Sequence, residues 1–347
     1  MFAWTRVRAS IRVAPGSNPA AAQRTAVAVS WQPSASLDVL HARAHLLHSI
    51  RRFFADREVL EVETPLLAAS GVTDPSLEPF EIASAQSAFE TRYLQTSPEY
   101  AMKRLLAAHE QSIYQVTKAF RDGEVGTRHN PEFSLLEWYR PGFDHHQLME
   151  EVAELLLHCL GDIAVAKVSY RQLFQEQLAI DPWKATASQL AAVARKYVEI
   201  GSWQDESDKD FWLDLLMSHV IEPRFVDQGV VFVFDYPPSQ AALARIADCG
   251  SGSVAQRFEA YVNGIELANG YYELTDAVEQ SARFERDNTL REQRGQVRRP
   301  VDPYLLAAMD SGLPDCSGVA LGLDRLLMLY TGNSAIQDVL AFDWTRA

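Results

Sequence analysis

Residues 257–274 read Arg-Phe-Glu-Ala-Tyr-Val-Asn-Gly-Ile-Glu-Leu-Ala-Asn-Gly-Tyr-Tyr-Glu-Leu. Two apolar-rich runs flank Asn263-Gly264, and Asn-Gly between such runs is the strongest short-range hairpin signal, because the favoured turn needs positive φ at both central residues. A two-residue turn there pairs Val262 with Ile265 and Tyr261 with Glu266, which puts Glu259 and Glu266 on one face. Two carboxylates so placed repel unless a cation lies between them. An oxygen-ligand site in which magnesium holds substrate phosphates fits, and a solvated outer face fits equally well. Strict alternation sends Glu273 to the opposite face, so Asn269-Gly270 must break the pleat if Glu273 is to join the same site.

Working outward, residues 113–121 and 132–140 predict a second antiparallel pair around a glycine-containing loop. A register that sets Arg121 opposite Phe133 puts Arg121, Phe133, Glu137 and Tyr139 on one face. An aromatic ring, an arginine and a carboxylate suit a nucleobase, a phosphate and an ammonium, although such a set alone is more often a salt-bridged sheet surface. Further along, Gly318 to Gly332 read as a strand, a glycine turn and a buried helix. Gly322 precedes that helix and Arg325 lies in its first turn, which suits an anion such as a terminal phosphate.

The remaining landmarks are a helix over 38–56, a strand in Val59–Leu67 stopped by Pro65, and a strand and turn at 92–99 leading into a helix. An amphipathic helix follows around Leu148–Cys159, with Glu150, Glu151 and Glu154 on its outer face. From Val230 runs a buried strand. No repeat or low-complexity linker divides residues 38–347, so one α+β domain is expected, with an antiparallel sheet flanked by helices. Residues 1–37 hold four arginines, no acid and no core-forming pattern, and read as a disordered extension.

Composition narrows the function. No apolar run approaches the length of a membrane span. The formal charge of −14 disfavours bulk polyanion binding, although the run Arg291, Arg294, Arg298, Arg299 could form a local basic patch. The three cysteines are far apart and point to reduced cytoplasmic thiols. Without a Gly-x-Ser-x-Gly elbow, a Walker A loop or a His-Glu-x-x-His pair, serine-hydrolase, P-loop and zinc-protease chemistry lack their minimum residues.

In order and spacing these landmarks resemble the three class II aminoacyl-tRNA synthetase motifs: FFADREVLEVETPLL (53–67), FRDGEVGTRHNPEFSLLEWY (120–139) and GVALGLDRLLML (318–329). RHNPEF and ELANGYYEL resemble the lysyl branch in particular. The resemblance implies a class II catalytic domain over 38–347 without the anticodon-binding OB domain that precedes motif 1 in lysyl synthetases. It implies a homodimer built through motif 1, ATP as substrate and Mg²⁺ as cofactor. With TSPEYAMKRLL (96–106) it looks like a truncated branch that activates (R)-β-lysine and joins it by an amide bond to a lysine ε-amine of translation elongation factor P. A free-standing tRNA-charging core and a catalytically silent regulator are the alternatives.

By the same resemblance Arg121 holds the α-phosphate, and Arg325 with His129 the terminal phosphates. Asn130 and Phe133 seat the adenine, while Asp122, Gly123, Leu267 and Gly322 adjoin the nucleotide. Glu259 and Glu266 bind Mg²⁺. Glu99, in the Ser97-Pro98-Glu99 turn, meets the backbone-side amine, and Glu273 with Tyr139 takes the distal ammonium. Glu137 and Asn269 complete the pocket, and Ala320 stands on its wall where the lysyl motif has glycine. One departure stands out: motif 2 normally has Arg-x-Glu, and this chain reads Arg121-Asp122-Gly123-Glu124.

Overall fold

The structure, a computed structural model, describes residues 31–83, 91–199, 207–250 and 252–347. In chain order the first half comprises α1 (Leu37–Ala55), β1 (Leu60–Glu61), β2 (Leu67–Ala68), β3 (Glu81–Ala83), β4 (Thr91–Leu94), α2 (Glu99–His109), β5 (Ile113–Phe120), β6 (Glu132–Pro141) and α3 (His145–Leu160). Then come β7 (Val165–Ser169), α4 (Tyr170–Leu178), α5 (Ala187–Ala194), α6 (Lys209–Leu216), β8 (Val230–Tyr236), β9 (Ile246–Asp248), β10 (Ser253–Val262) and β11 (Ile265–Tyr272). The chain closes with α7 (Ala277–Gln293), α8 (Pro303–Gly312), β12 (Cys316–Gly322) and α9 (Leu323–Thr331).

Side-chain caps set several helix starts: Ser36 accepts from the Val39 N–H at α1, and Asp144 with Gln147 forms a reciprocal box at α3. The main sheet runs β1-β5-β6-β12-β11-β10-β8-β7, with β9 beside β10; β2-β4-β3 form a small second sheet. Its centre is antiparallel, and only the outermost pairs, β1 with β5 and β7 with β8, are parallel. One face rests on α1, α3 and α9 through Ile50, Phe54, Leu148, Val152, Leu326 and their neighbours. The opposite face, toward α2, α7 and α8, carries the polar residues of interest.

Several expectations are corrected. Ser34 and Ala35 already donate backbone hydrogen bonds to Ala341 and Leu340, so the folded unit starts before residue 37; residues 1–30 of the expected extension lie outside the described residues. The strand expected over 59–67 pairs with β5 only at Leu60–Glu61, because after Val62 the chain turns off β5 and Thr64 bonds to the Gln115 side chain instead, and Leu67 pairs with Leu94 in the small second sheet. Glu151 is buried, accepting from Trp138 Nε1 at 3.0 Å and lying 3.4 Å from Arg140. The arginine run is no basic patch. Arg291 and Arg299 are buried against Glu78 and Glu81, Arg298 pairs with Glu285, and Arg294 lies 3.9 Å from Asp208. The Arg291 and Arg299 pairs staple α7 and the segment after it to residues 74–81, and the four arginines leave no free positive stripe.

Candidate active site

The hairpin register starts as the turn requires, with Val262 opposite Ile265 and Tyr261 opposite Glu266. It then shifts: Ala260 faces Ala268 and Glu259 faces Asn269, so Leu267 is one extra residue on β11. Leu267 and Ala268 both enter the apolar core beneath the sheet. The alternation therefore changes parity, and Glu266, Asn269, Tyr271 and Glu273 share a face with Arg257, Glu259 and Tyr261. The expected pleat break exists, but it lies at Leu267 and not at Asn269-Gly270. Gly270 answers a different need, since a Cβ there would overlap the Phe258 ring.

The β5–β6 register pairs Ala119 with Phe133, and the Arg121 N–H donates to the Pro131 carbonyl at 2.8 Å. Arg121 thus stands opposite Pro131, two residues from the expected partner. An even shift preserves parity, so Arg121, Phe133, Glu137 and Tyr139 still face one way. Continuing through β12, Glu259, Asn269, Ala320, Glu137 and Gln115 form one row across the sheet. Gly318 belongs to the neighbouring row, where an added Cβ would overlap both the Tyr139 ring and the Glu273 carboxylate.

At one end of this face three carboxylates, Glu99, Glu137 and Glu273, are buried, and Lys103 pairs with two of them, Glu99 and Glu273. Ser97 Oγ accepts from the Glu99 N–H at 3.2 Å, and Pro98 occupies the cap position of α2. Tyr139 donates to Glu137 Oε1 at 2.8 Å, while Glu137 Oε2 is buried with no hydrogen-bond partner. Burial, aided by the Glu99 charge, pushes the Glu137 carboxyl up to about 8. Burial opposes ionisation of Glu99 too, but the Lys103 ammonium holds that carboxyl below its ordinary range. Burial also raises Glu273, with Lys103 opposing. Sequence reasoning missed Lys103, although its spacing of one helical turn from Glu99 was a usable signal.

At the other end a cavity is lined by Arg121, Glu124, His129, Asn130, Phe133 and Arg325, with Gly322 at its edge. The Arg121 guanidinium is buried, 5.0 Å from the Phe133 ring centroid. Arg325 donates to the Glu266 carbonyl at 2.8 Å and sits 2.8 Å from His129 Nε2. Asn130 donates to the Glu132 carbonyl and accepts from the Trp344 N–H at 2.9 Å, so the C-terminal segment fixes its side chain. Gly123 has φ +74°. That turn lets the longer spacing bring Glu124 to the cavity wall, 3.9 Å from Arg121. Asp122 and Leu267 do not join the lining: the Asp122 side chain is exposed, and Leu267 points into the core.

Glu259 is not left to repel Glu266. Arg257 and Tyr261 both donate short hydrogen bonds to it, and Asn269 adds one at 3.3 Å. No group of three or more His, Cys, Asp or Glu suited to a metal occurs among the described residues. Glu259 and Glu266 can therefore hold a cation only together with ligands from elsewhere. That fits magnesium, which commonly takes one or two carboxylates and completes its shell with substrate phosphates and water.

The family model for class II tRNA synthetases (D, K and N) matches residues 23–346. The chain belongs to this family. As a class II synthetase-type protein it is an ATP-using ligase, and its sheet brings the guanidinium groups of Arg121 and Arg325 together at one cavity. Its relatives include proteins named elongation factor P–(R)-β-lysine ligase from Salmonella paratyphi B, Salmonella schwarzengrund and Salmonella heidelberg. Each is 49% identical over 321 residues, covering 92% of this chain and 98% of the relative. Among the described residues the class II fold has two sheets, neither of them a closed OB barrel, and no helix long and apolar enough to cross a membrane.

Proposed function

We propose that this protein activates (R)-β-lysine with ATP and transfers the β-lysyl group to a lysine ε-amine of elongation factor P. The observation that carries this reading is the polarity of one sheet face, with three buried carboxylates at one end and two arginines around a cavity at the other. Two ammonium groups suit the first end, and a carboxylate beside a triphosphate suits the second.

In the first step a substrate carboxylate oxygen attacks the α-phosphorus, the bond to the β-phosphate oxygen breaks, and pyrophosphate leaves. Arg121 stabilises the charge that builds on the α-phosphate, and Arg325 with His129 receives the departing phosphates. Phe133 and Asn130 seat the base. Glu259 and Glu266 would hold magnesium, which would supply charge neutralisation for the phosphates. In the second step the ε-amine nitrogen attacks the acyl carbon, AMP leaves, and the amine proton passes to solvent. Positioning carries most of the acceleration, because no covalent protein nucleophile is required. We place the protein in the cytoplasm as a homodimer paired through the Phe53–Leu67 segment, acting on elongation factor P rather than tRNA.

Incubation with ATP, magnesium, elongation factor P and each lysine isomer, followed by intact-mass measurement, tests this. The expected result is a gain of one lysyl unit, largest with (R)-β-lysine. Unmodified elongation factor P alongside charged tRNA would overturn it.

A further inference from the structure

Lys103 lies on α2, one turn after Glu99, and its side chain is 1% exposed. Its Nζ is 2.7 Å from Glu99 Oε1 and 2.6 Å from Glu273 Oε2. Glu273 follows the end of β11, so one ammonium ties the helix over the site to the sheet beneath it. Glu137 lies on the same face, with one carboxylate oxygen buried and unpartnered.

We propose that Lys103 is a positioning residue that clamps Glu99 to Glu273 and sets the charge the site presents to its amino-acid substrate. Once a bound substrate displaces the proton on Glu137, the three buried carboxylates and one fixed ammonium leave two negative charges, which two substrate ammonium groups balance. Without Lys103, two carboxylates from different elements face each other with no shared cation. They then separate, or one takes up a proton, and either change removes an acceptor from the amine subsites. The clamp acts through Glu99 and Glu273 and does not touch the phosphates. Its loss should therefore weaken binding of the diamino acid and leave ATP binding alone.

This inference rests on reading the carboxylate cluster as the amine site. The test is Lys103→Met, which keeps volume and removes charge, compared with Lys103→Ala in ATP–pyrophosphate exchange. Lys103→Met is expected to raise KM for the diamino acid by roughly 30-fold or more, with KM for ATP changed less than about 3-fold. In Lys103→Ala, millimolar n-propylamine should restore part of the affinity by filling the vacated channel, and methylamine, too short to reach, should not. Should Lys103→Met fail to fold, judged by circular dichroism and melting, Lys103→Gln replaces it.

A folded variant with unchanged diamino-acid KM overturns the inference, as does one in which kcat alone falls and propylamine does nothing. Wild-type protein that exchanges pyrophosphate with no lysine isomer sinks the functional reading, and this inference with it. Active wild type with an indifferent Lys103 variant sinks the inference alone.

Discussion

The two ends of the site are built on different principles. The end proposed for the amines is fully buried and made of side chains on α2, on β6 and just past β11, with Gly318 leaving room for Tyr139 and Glu273. The end proposed for the phosphates relies on arginines, a loop turned by Gly123 and the start of α9, and backbone carbonyls and the C-terminal segment hold its parts in place. The contrast separates two physical tasks. Discriminating one small ammonium-bearing molecule from another needs rigid, desolvated acceptors, since an unmatched buried charge is costly. Holding a triphosphate needs concentrated positive charge and tolerates a looser frame.

The comparison breaks hardest at Glu266, which stands on the shared face toward the phosphate end. Glu266→Gln keeps its volume and removes its charge, so adenylate formation should fall by about 100-fold or more with little change in melting temperature. Folded protein with full pyrophosphate exchange would mean that Glu266 holds no cation.

Glu137 sharpens the amine end through pH. Its carboxyl is raised from 4.5 to about 8, so the empty site keeps a proton that a bound diammonium substrate displaces. KM for the diamino acid should therefore fall as pH rises toward 8, and Glu137→Gln should flatten that profile while raising KM roughly 10-fold. The sign for stability is opposite. Between 4.5 and 8 the native state holds a proton the unfolded chain has lost, so without substrate this group's contribution to stability declines as pH rises across that window. A profile that stays equally steep in the glutamine variant assigns the titration to another group.

A smaller effect is expected at Ala320, which lies between Glu137 and Asn269 in the transverse row. Its methyl narrows the approach to the backbone, so Ala320→Gly should raise activation of α-lysine relative to β-lysine by about 10-fold, within the range one methyl-sized change can give. Exchange assays with both isomers measure the ratio, and a constant ratio in folded protein moves selectivity elsewhere, for instance to the placement of Glu99. The smallest effect is expected from removing residues 1–30, which should leave kcat/KM within about 2-fold because the segment has no core-forming pattern. Extending the deletion through Ser34 and Ala35 should lower the melting temperature, since both bond to the C-terminal segment.

What the sequence determined by itself is local. The Asn-Gly turn set the first pairs of the hairpin, parity placed Arg121, Phe133, Glu137 and Tyr139 on one face even with the register two residues off, and apolar period located α1, α2, α3 and α9 but not α7 or α8. Each of these depends on neighbours within a few positions, so each is legible before folding. The tertiary structure decided the extra residue at Leu267, which carries Glu273 to the face of Glu266, because a bulge is set by what the sheet packs against and not by the strand alone. It also decided every charge partner: Arg257 for Glu259, Glu78 for Arg291 and Arg299, and Lys103 for both Glu99 and Glu273. Even the close pairs among these are fixed by burial, because a carboxylate chooses its cation only once folding has removed the water that would otherwise serve it.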